Sequence, residues 1–468
     1  MTIMQKNKIF KMILSWNLVF IIFLFFNTVT ADNKADKNNE NTDYKLGNNF
    51  LELKDQSGID YYTTDYLRYA DYVYKENIKT VLLNMKGWDF SPPLIRFDSD
   101  EKLVLRFDDL DGGHKTYYYT IIHCDAKWRP SDLQPQEYID GFYDDRLSDY
   151  NPSFNTEVSF THYSLEFPNR NMRPKIPGNY IFKVFLDGDR EDVVLTRKFM
   201  VYEQAVSVSG DVRQARQVSL RDFKQELNFS INTHDYRIDN PYNDITVVIK
   251  QNGRWDNVIH DLEPRSVSGN TISYDYDSEI IFDGGNEFRY FDTKSLKHST
   301  ARIDQINMRP EFKEVILRED LPRKNKSYIF EHDINGRYYI QNEHGYDQHL
   351  ESDYAMVNFT LPMAVPFRDG NIYLAGEFTD WNYNKSNLME YNYNKNAYQA
   401  SMLLKQGYYN YMYMYLEDGE DRPDISMVEG NHSETENEYT ILVYHRRQGT
   451  FFDRLIGMKH LNTHDDER

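Results

Sequence analysis

Disulfides cannot hold this chain together. Its 468 residues contain one cysteine, Cys124, so tertiary constraint has to come from burial and polar pairing. Cys124 sits in an apolar stretch and reads as a small buried hydrophobe. Basic charge is also short: 54 Lys plus Arg face 74 Asp plus Glu, a net of −20. That sign excludes a grip on nucleic-acid phosphates and docking on anionic lipid by charge alone, while it favours solubility. Beyond residue 31 no long apolar run occurs, so direct membrane insertion of the mature chain is not expected. The familiar catalytic signatures are missing: there is no Gly-x-Ser-x-Gly elbow, phosphate loop, dinucleotide fingerprint or His-Glu-x-x-His helix. Among 74 acids, paired carboxylates arise by coincidence. The 13 His are scattered and lack metal-ligand spacing. The expectation is a protein that is not an enzyme, with no catalytic residues, no metal and no cofactor.

What the chain does have begins with an export signal. Lys6, Lys8 and Lys11 precede an apolar run over residues 12–26, and Val29-Thr30-Ala31 offers small residues for cleavage. Residues 1–31 therefore read as a cleaved signal peptide; the alternative, an uncleaved anchor, is disfavoured by a run too short to span comfortably. No cysteine lies at the cleavage-like site that ends that run, which excludes a lipoprotein. Residues 32–77 read as a polar N-terminal linker, Asn- and Lys-rich at its start.

Aromatics reach 15%, with 38 Tyr and 28 Phe, and with alternating Val and Ile they favour strands. The fold class expected is all-β: tandem Ig-like or early-set β-sandwich domains. A first sandwich is placed at 78–203, where Leu103, Leu105 and Phe107 alternate and Tyr180, Phe182 and Val184 do so again. A second is placed at 204–350, with Asn252-Gly253 as its clearest hairpin turn. A third is placed at 351–447, from Ala355, Val357 and Phe359 to a closing strand with Tyr439, Ile441 and Val443. Residues 448–468 are left as a C-terminal tail. The charged run 318–326 reads as a solvated hinge, and residues 130–152 as a long polar excursion suited to carrying a contact surface.

Several motifs stand out. In Ile121-Ile122-His123-Cys124-Asp125-Ala126-Lys127-Trp128-Arg129-Pro130-Ser131-Asp132-Leu133, neighbouring strand residues face opposite ways, so His123 and Cys124 cannot converge on one ligand. Phe107-Asp108-Asp109-Leu110-Asp111 hints at a calcium loop but lacks its ladder of oxygens; a turn capping the strand is the simpler reading. Trp128 and Trp255 are read as core plugs, with a role at a partner surface as the second possibility. Trp381, in Gly376-Glu377-Phe378-Thr379-Asp380-Trp381-Asn382, is either structural or a platform for a sugar ring. The strand Tyr409-Tyr411-Tyr413-Tyr415 alternates with Met412 and Met414, and one of its faces is read as core.

Together with Gly178-Asn179-Tyr180, Gln251-Asn252-Gly253-Arg254-Trp255-Asp256 and Gly284-Gly285-Asn286-Glu287-Phe288-Arg289, the 121–133 and 107–111 motifs resemble the type IX secretion system plug protein family of Bacteroidetes-type bacteria. The resemblance covers about residues 79–292 and runs more loosely to about 447. The 351–447 segment is similar to early-set modules that accompany starch- and glycogen-acting enzymes. The family implies a periplasmic protein, peripherally associated with the outer membrane, that docks on the periplasmic opening of the type IX translocon barrel and seals it. Candidate partner-binding residues are Trp128, Arg129, Asp132, Trp255 and Trp381. The alternative is a periplasmic or surface glycan-binding protein working through Trp381.

Overall fold

A strand buried on both faces reads as an unbroken apolar run, because neither side needs a polar residue. Val247-Val248-Ile249 and Ile441-Leu442-Val443 are such runs, and they pair as neighbours in one sheet. The computed structural model describes residues 66–276 and 279–463, all within one unit, Asn48–Arg468. The expected signal peptide and residues 32–65 of the expected linker lie outside the described residues. The protein is all-β, 45% strand against 4% helix, in several sheets and without a barrel, as tandem sandwiches require.

The first sandwich packs the sheet Tyr72–Val73, Val193–Tyr202, Gly178–Leu186, Tyr117–Cys124, Asp145–Arg146 against the sheet Ile78–Met85, Leu103–Asp109, Thr161–Phe167, Asp149–Pro152. Phe107, Tyr119, Tyr180, Phe182 and Phe199 fill its core. Residues 130–152 are not the loose excursion expected. They form a short helix, Pro135–Tyr138, and three short strands, two of which pair with the edges of the two sheets.

The remaining chain is divided differently from the sequence expectation. Ser207–Gln214, Lys224–Asn232, Thr271–Tyr274 and Ser266–Ser268 form one sheet, whose partner across the core is Ile245–Gln251, Glu438–His445 and Arg454–Asn462. Tyr439, Ile441 and Val443 thus belong to the second core, and the expected tail 448–468 supplies a nine-residue strand to it. Conversely, Arg289–Asp292, Ile303–Met308, Lys313–Leu317 and Tyr338–Ile340, expected in the second sandwich, pair with strands of the third. The third sandwich is therefore inserted between strands of the second. Period-two alternation reports which residues share a face, not which strand lies alongside, so this exchange leaves no mark in the pattern.

The tyrosine ladder lies in the strand Gly407–Glu417. Tyr409, Tyr411 and Tyr413 enter the core, and Met412 and Met414 on the other face are also buried, beneath Phe288, Tyr373 and Tyr383. Both faces are covered.

Candidate functional site

The sequence motifs converge on the places where the sandwiches touch. In the Phe107-Asp108-Asp109 motif, the two carboxylates point to opposite faces of the strand. Asp109 stays within the first sandwich, accepting from Asn77 at 2.5 Å, Tyr117 at 2.9 Å and the Asp111 amide at 3.1 Å. Asp108 crosses to the third: Lys405 Nζ lies 2.5 Å away and the Tyr354 hydroxyl 2.7 Å, with His162 at 2.6 Å on the other oxygen. Burial alone would raise the Asp108 carboxyl, but Lys405 and His162 outweigh it and hold it below the usual range. The donors around both carboxylates are protein groups, so the calcium reading has no support in this loop.

The His-Cys-Asp motif is a turn-former. Asp125 Oδ1 accepts from the backbone amides of Lys127 and Arg129, both at 2.9 Å, folding the chain so that Trp128 sits at φ 65°. Arg129 returns to the same carboxylate at 2.9 Å. Asn179 donates to the Asp125 carbonyl at 2.9 Å and accepts from Tyr444 at 2.8 Å, which ties the first sandwich to the second. Gly178 is required beside it: its φ is +149°, and a Cβ there would lie 2.5 Å from His123 Nε2. His123 itself is buried, which pushes its pKa down to about 4, and Cys124 is buried with its thiol pushed up by desolvation. Cys124 packs with Trp128, Ile181, Met200, Leu442, Tyr444 and Leu455 in a cluster that joins the first two sandwiches.

The other motifs act alike. Asn252 and Gly253 turn at φ 51° and 71°, as their sequence implies. Arg254 then pairs with Asp256 at 2.6 Å, and Asp256 accepts from Tyr383 of the third sandwich at 2.5 Å. Gly284-Gly285-Asn286-Glu287-Phe288-Arg289 is the neck of the inserted sandwich. Gly284 passes so close to the His432 carbonyl that a Cβ would collide with it, and Asn437 donates to the Gly284 carbonyl at 2.8 Å. Arg289 holds Glu429 at 3.0 Å and Asp320 at 3.0 Å, while Arg323 holds Glu429 at 2.8 Å. Residues 318–326 are consequently no hinge: Asp320 is buried and also accepts from Tyr411 and Tyr413.

Around this junction lies a cavity of about 630 Å³. Of the five residues singled out from sequence, Trp128, Arg129, Trp255 and Trp381 line it, one or more from each sandwich; Asp132 is exposed and is not among its lining residues. Trp128 and Trp255 are not plugs of separate cores. They meet edge to face at 5.0 Å across the junction. Trp381 is half-buried, at φ 54°, with the Arg254 guanidinium 5.0 Å over its ring and Phe288 at 6.0 Å. Sequence reasoning missed two further lining residues, Lys198 and Lys250. The signal was available: each sits in a strand otherwise read as buried, in Thr196-Arg197-Lys198-Phe199 and Val248-Ile249-Lys250-Gln251, where a lysine is out of place unless it serves a site. Among the described residues, no group of three or more His, Cys, Asp or Glu is placed to hold a metal ion, and no helix is long and apolar enough to cross a membrane.

Exposed aromatic side chains occur elsewhere, on residues 142–154. Phe142 and Phe154 are 63% and 61% accessible, and Tyr143 and Tyr150 are exposed beside them in sequence.

Comparison with known proteins agrees with these motifs. The family model described as type 9 secretion system plug protein 1st domain matches residues 78–203, all of the first sandwich but its edge strand Tyr72–Val73. A search of curated proteins gave no match. The crystal structure of a hypothetical protein from Parabacteroides merdae superposes with a TM-score of 0.83 at 32% identity, covering 85% of this chain and 100% of that one. The family is one of secretion-system plugs and not of enzymes. With the plug domain matched on the first sandwich, the chain belongs to the type IX secretion system plug protein family.

Proposed function

We propose that this protein is a non-enzymatic stopper: it docks from the periplasm on the opening of the type IX outer-membrane barrel and closes it when no cargo passes. Family membership supports a role in type IX secretion and a place in the cell envelope. A barrel of the largest class encloses an aqueous lumen, and closing it calls for a body that does not deform. The observation that carries the reading is the triangle of buried polar links. Asp108 joins the first sandwich to the third, Asn179 the first to the second, and Asp256 the second to the third. Each sandwich is thereby fixed against both others.

The segment best suited to the contact is residues 142–154, which exposes Phe142, Tyr143, Tyr150 and Phe154. Such side chains bring large area at low entropic cost. The Trp residues first singled out as partner-binding are spent on the junction, and Trp381 carries a guanidinium over its ring, which disfavours the glycan reading. Affinity purification of the tagged protein from detergent-solubilised outer membranes is the test. A large barrel protein should co-purify. Combined Phe142→Ala, Tyr143→Ala and Tyr150→Ala should cut its recovery by about tenfold or more without shifting the thermal midpoint. Recovery of the tagged protein with no large barrel would refute docking; undiminished recovery with the triple variant would move the contact elsewhere on the surface.

A further inference from the structure

The junction cavity contains two ammonium groups that form no ion pair among the described residues. Lys198 is 7% accessible and Lys250 5%, and both line the cavity. Lys198 Nζ lies 4.7 Å from the Trp128 ring centre and 4.8 Å from that of Trp255; Lys250 Nζ lies 4.0 Å from Trp255. Neither Nζ has a hydrogen-bond or ion-pair partner among the described residues. Four other cations of the wall are paired with carboxylates, Arg129 with Asp125, Arg197 with Asp380, Arg337 with Glu438 and Lys127 with Asp261, and the Arg68 guanidinium lies over the Tyr66 and Tyr72 rings. Asp71 accepts from the Lys198 backbone amide at 2.6 Å, but it and Glu377 reach the two ammonium groups only through space.

An uncompensated buried ammonium is expensive. Its cost shows here: burial pushes Lys198 down to about 8, and burial together with the charge of Lys198 pushes Lys250 down to about 7. A purely structural role would be served better by methionine, which has a similar stem and no charge. Trp128 adds an unpartnered donor, since its Nε1 is buried without a hydrogen bond. In a chain of net −20, two buried lysines side by side are unusual; they lie against flat aromatic surface in a cavity of a volume suited to a small organic ligand, although the wall also carries carboxylates such as Asp71 and Glu377.

We propose that this cavity binds a small organic anion, its carboxylate or phosphate group received by Lys198 and Lys250 and its flat apolar body lying against Trp128 and Trp255. The site is independent of docking on a translocon and belongs to the protein by itself. The ligand restores the missing counter-charge, and cation, aromatic ring and anion then form one layered cluster.

Isothermal titration of the full chain with indole-3-acetate, 1-naphthyl phosphate and the neutral indole-3-acetamide tests this and tells a carboxylate ligand from a phosphate one. At least one of the two anions should bind one-to-one, at least about tenfold tighter than the amide, since a hydrogen bond to a charged group is stronger than one to a neutral group. The double variant Lys198→Met, Lys250→Met should lose that binding by tenfold or more while melting at a higher temperature, because it removes the uncompensated charges. Lys250→Arg should retain it. Equal binding of amide and anions, no saturation by either anion in the millimolar range, or full binding by a well-folded double methionine variant would each overturn the proposal. The amide comparison needs no variant, so it stands even where a substitution disturbs folding.

Discussion

Glu429 illustrates how single residues set the character of this molecule. Burial by itself would raise its carboxyl, but the guanidiniums of Arg289 and Arg323 outweigh that and hold it down to about 2, with the Tyr413 amide donating at 2.9 Å. Its folded value lies below the ordinary 4.5, so the stabilisation is fully present above about pH 4.5 and is lost as pH falls towards 2. Glu429→Gln leaves Arg289 and Arg323 short of charge at the neck of the inserted sandwich. It should cost about 3–5 kcal/mol near neutral pH, and the gap to the native protein should shrink in denaturant titrations at about pH 3. A gap that stays constant with pH would mean that Glu429 is not ionised in the fold. Sequence announces such residues poorly. Glu429 is one of 74 acids, and only the geometry distinguishes it. Asn252-Gly253 was legible in full because its turn is local chemistry. The destination of Trp255 was not, since a side chain leaving a turn can enter its own core or a neighbour's.

At the scale of strands, period-two patterns placed the individual elements well. The faces assigned to Leu103, Leu105 and Phe107, and to Tyr180, Phe182 and Val184, are core faces. What the pattern could not carry was double burial. Ile181 and Met200, on the reverse face of the same sheet, meet Val248 and Leu442 of the second sandwich, which is why those strands lack polar alternation. Arg454–Asn462 was missed for a related reason. Its Gly457 and Lys459 interrupt the alternation, although the strand pairs along its length with Glu438–His445, and Leu455, Ile456 and Leu461 are buried. Removal of residues 448–468 would strip the edge from the sheet that carries the second core, exposing Ile441 and Val443. We expect the truncated chain to aggregate on expression or to melt well below the full chain. Soluble protein with an unchanged midpoint would show that the strand is dispensable.

For the whole molecule, the candidate site was half legible. Four of the five residues chosen from sequence do gather at one cavity, but the lysines that give that cavity its chemistry were not among them. The interdomain links also make a statement about cooperativity. Asp108, Asn179 and Asp256 each lose a buried partner when any one sandwich opens, and a stranded buried polar group is costly. Differential scanning calorimetry should therefore record one transition for the three sandwiches, with calorimetric and van't Hoff enthalpies in agreement. Resolved transitions would show that the links are too weak to couple them.

The insertion of one sandwich inside another also fixes a timetable. The second core opens with Ser207–Gln214 and is finished by Arg454–Asn462, so its first sheet must wait for almost all the later chain before its covering sheet exists. The inserted sandwich has every one of its strands by Gly407–Glu417 and can close first, drawing the two halves of its neck together and delivering the last two strands to the place where the waiting sheet needs them. Beyond the first sandwich, a chain emerging from its N-terminus is in this way assembled from the inside outwards, and Arg454–Asn462 acts as the keystone.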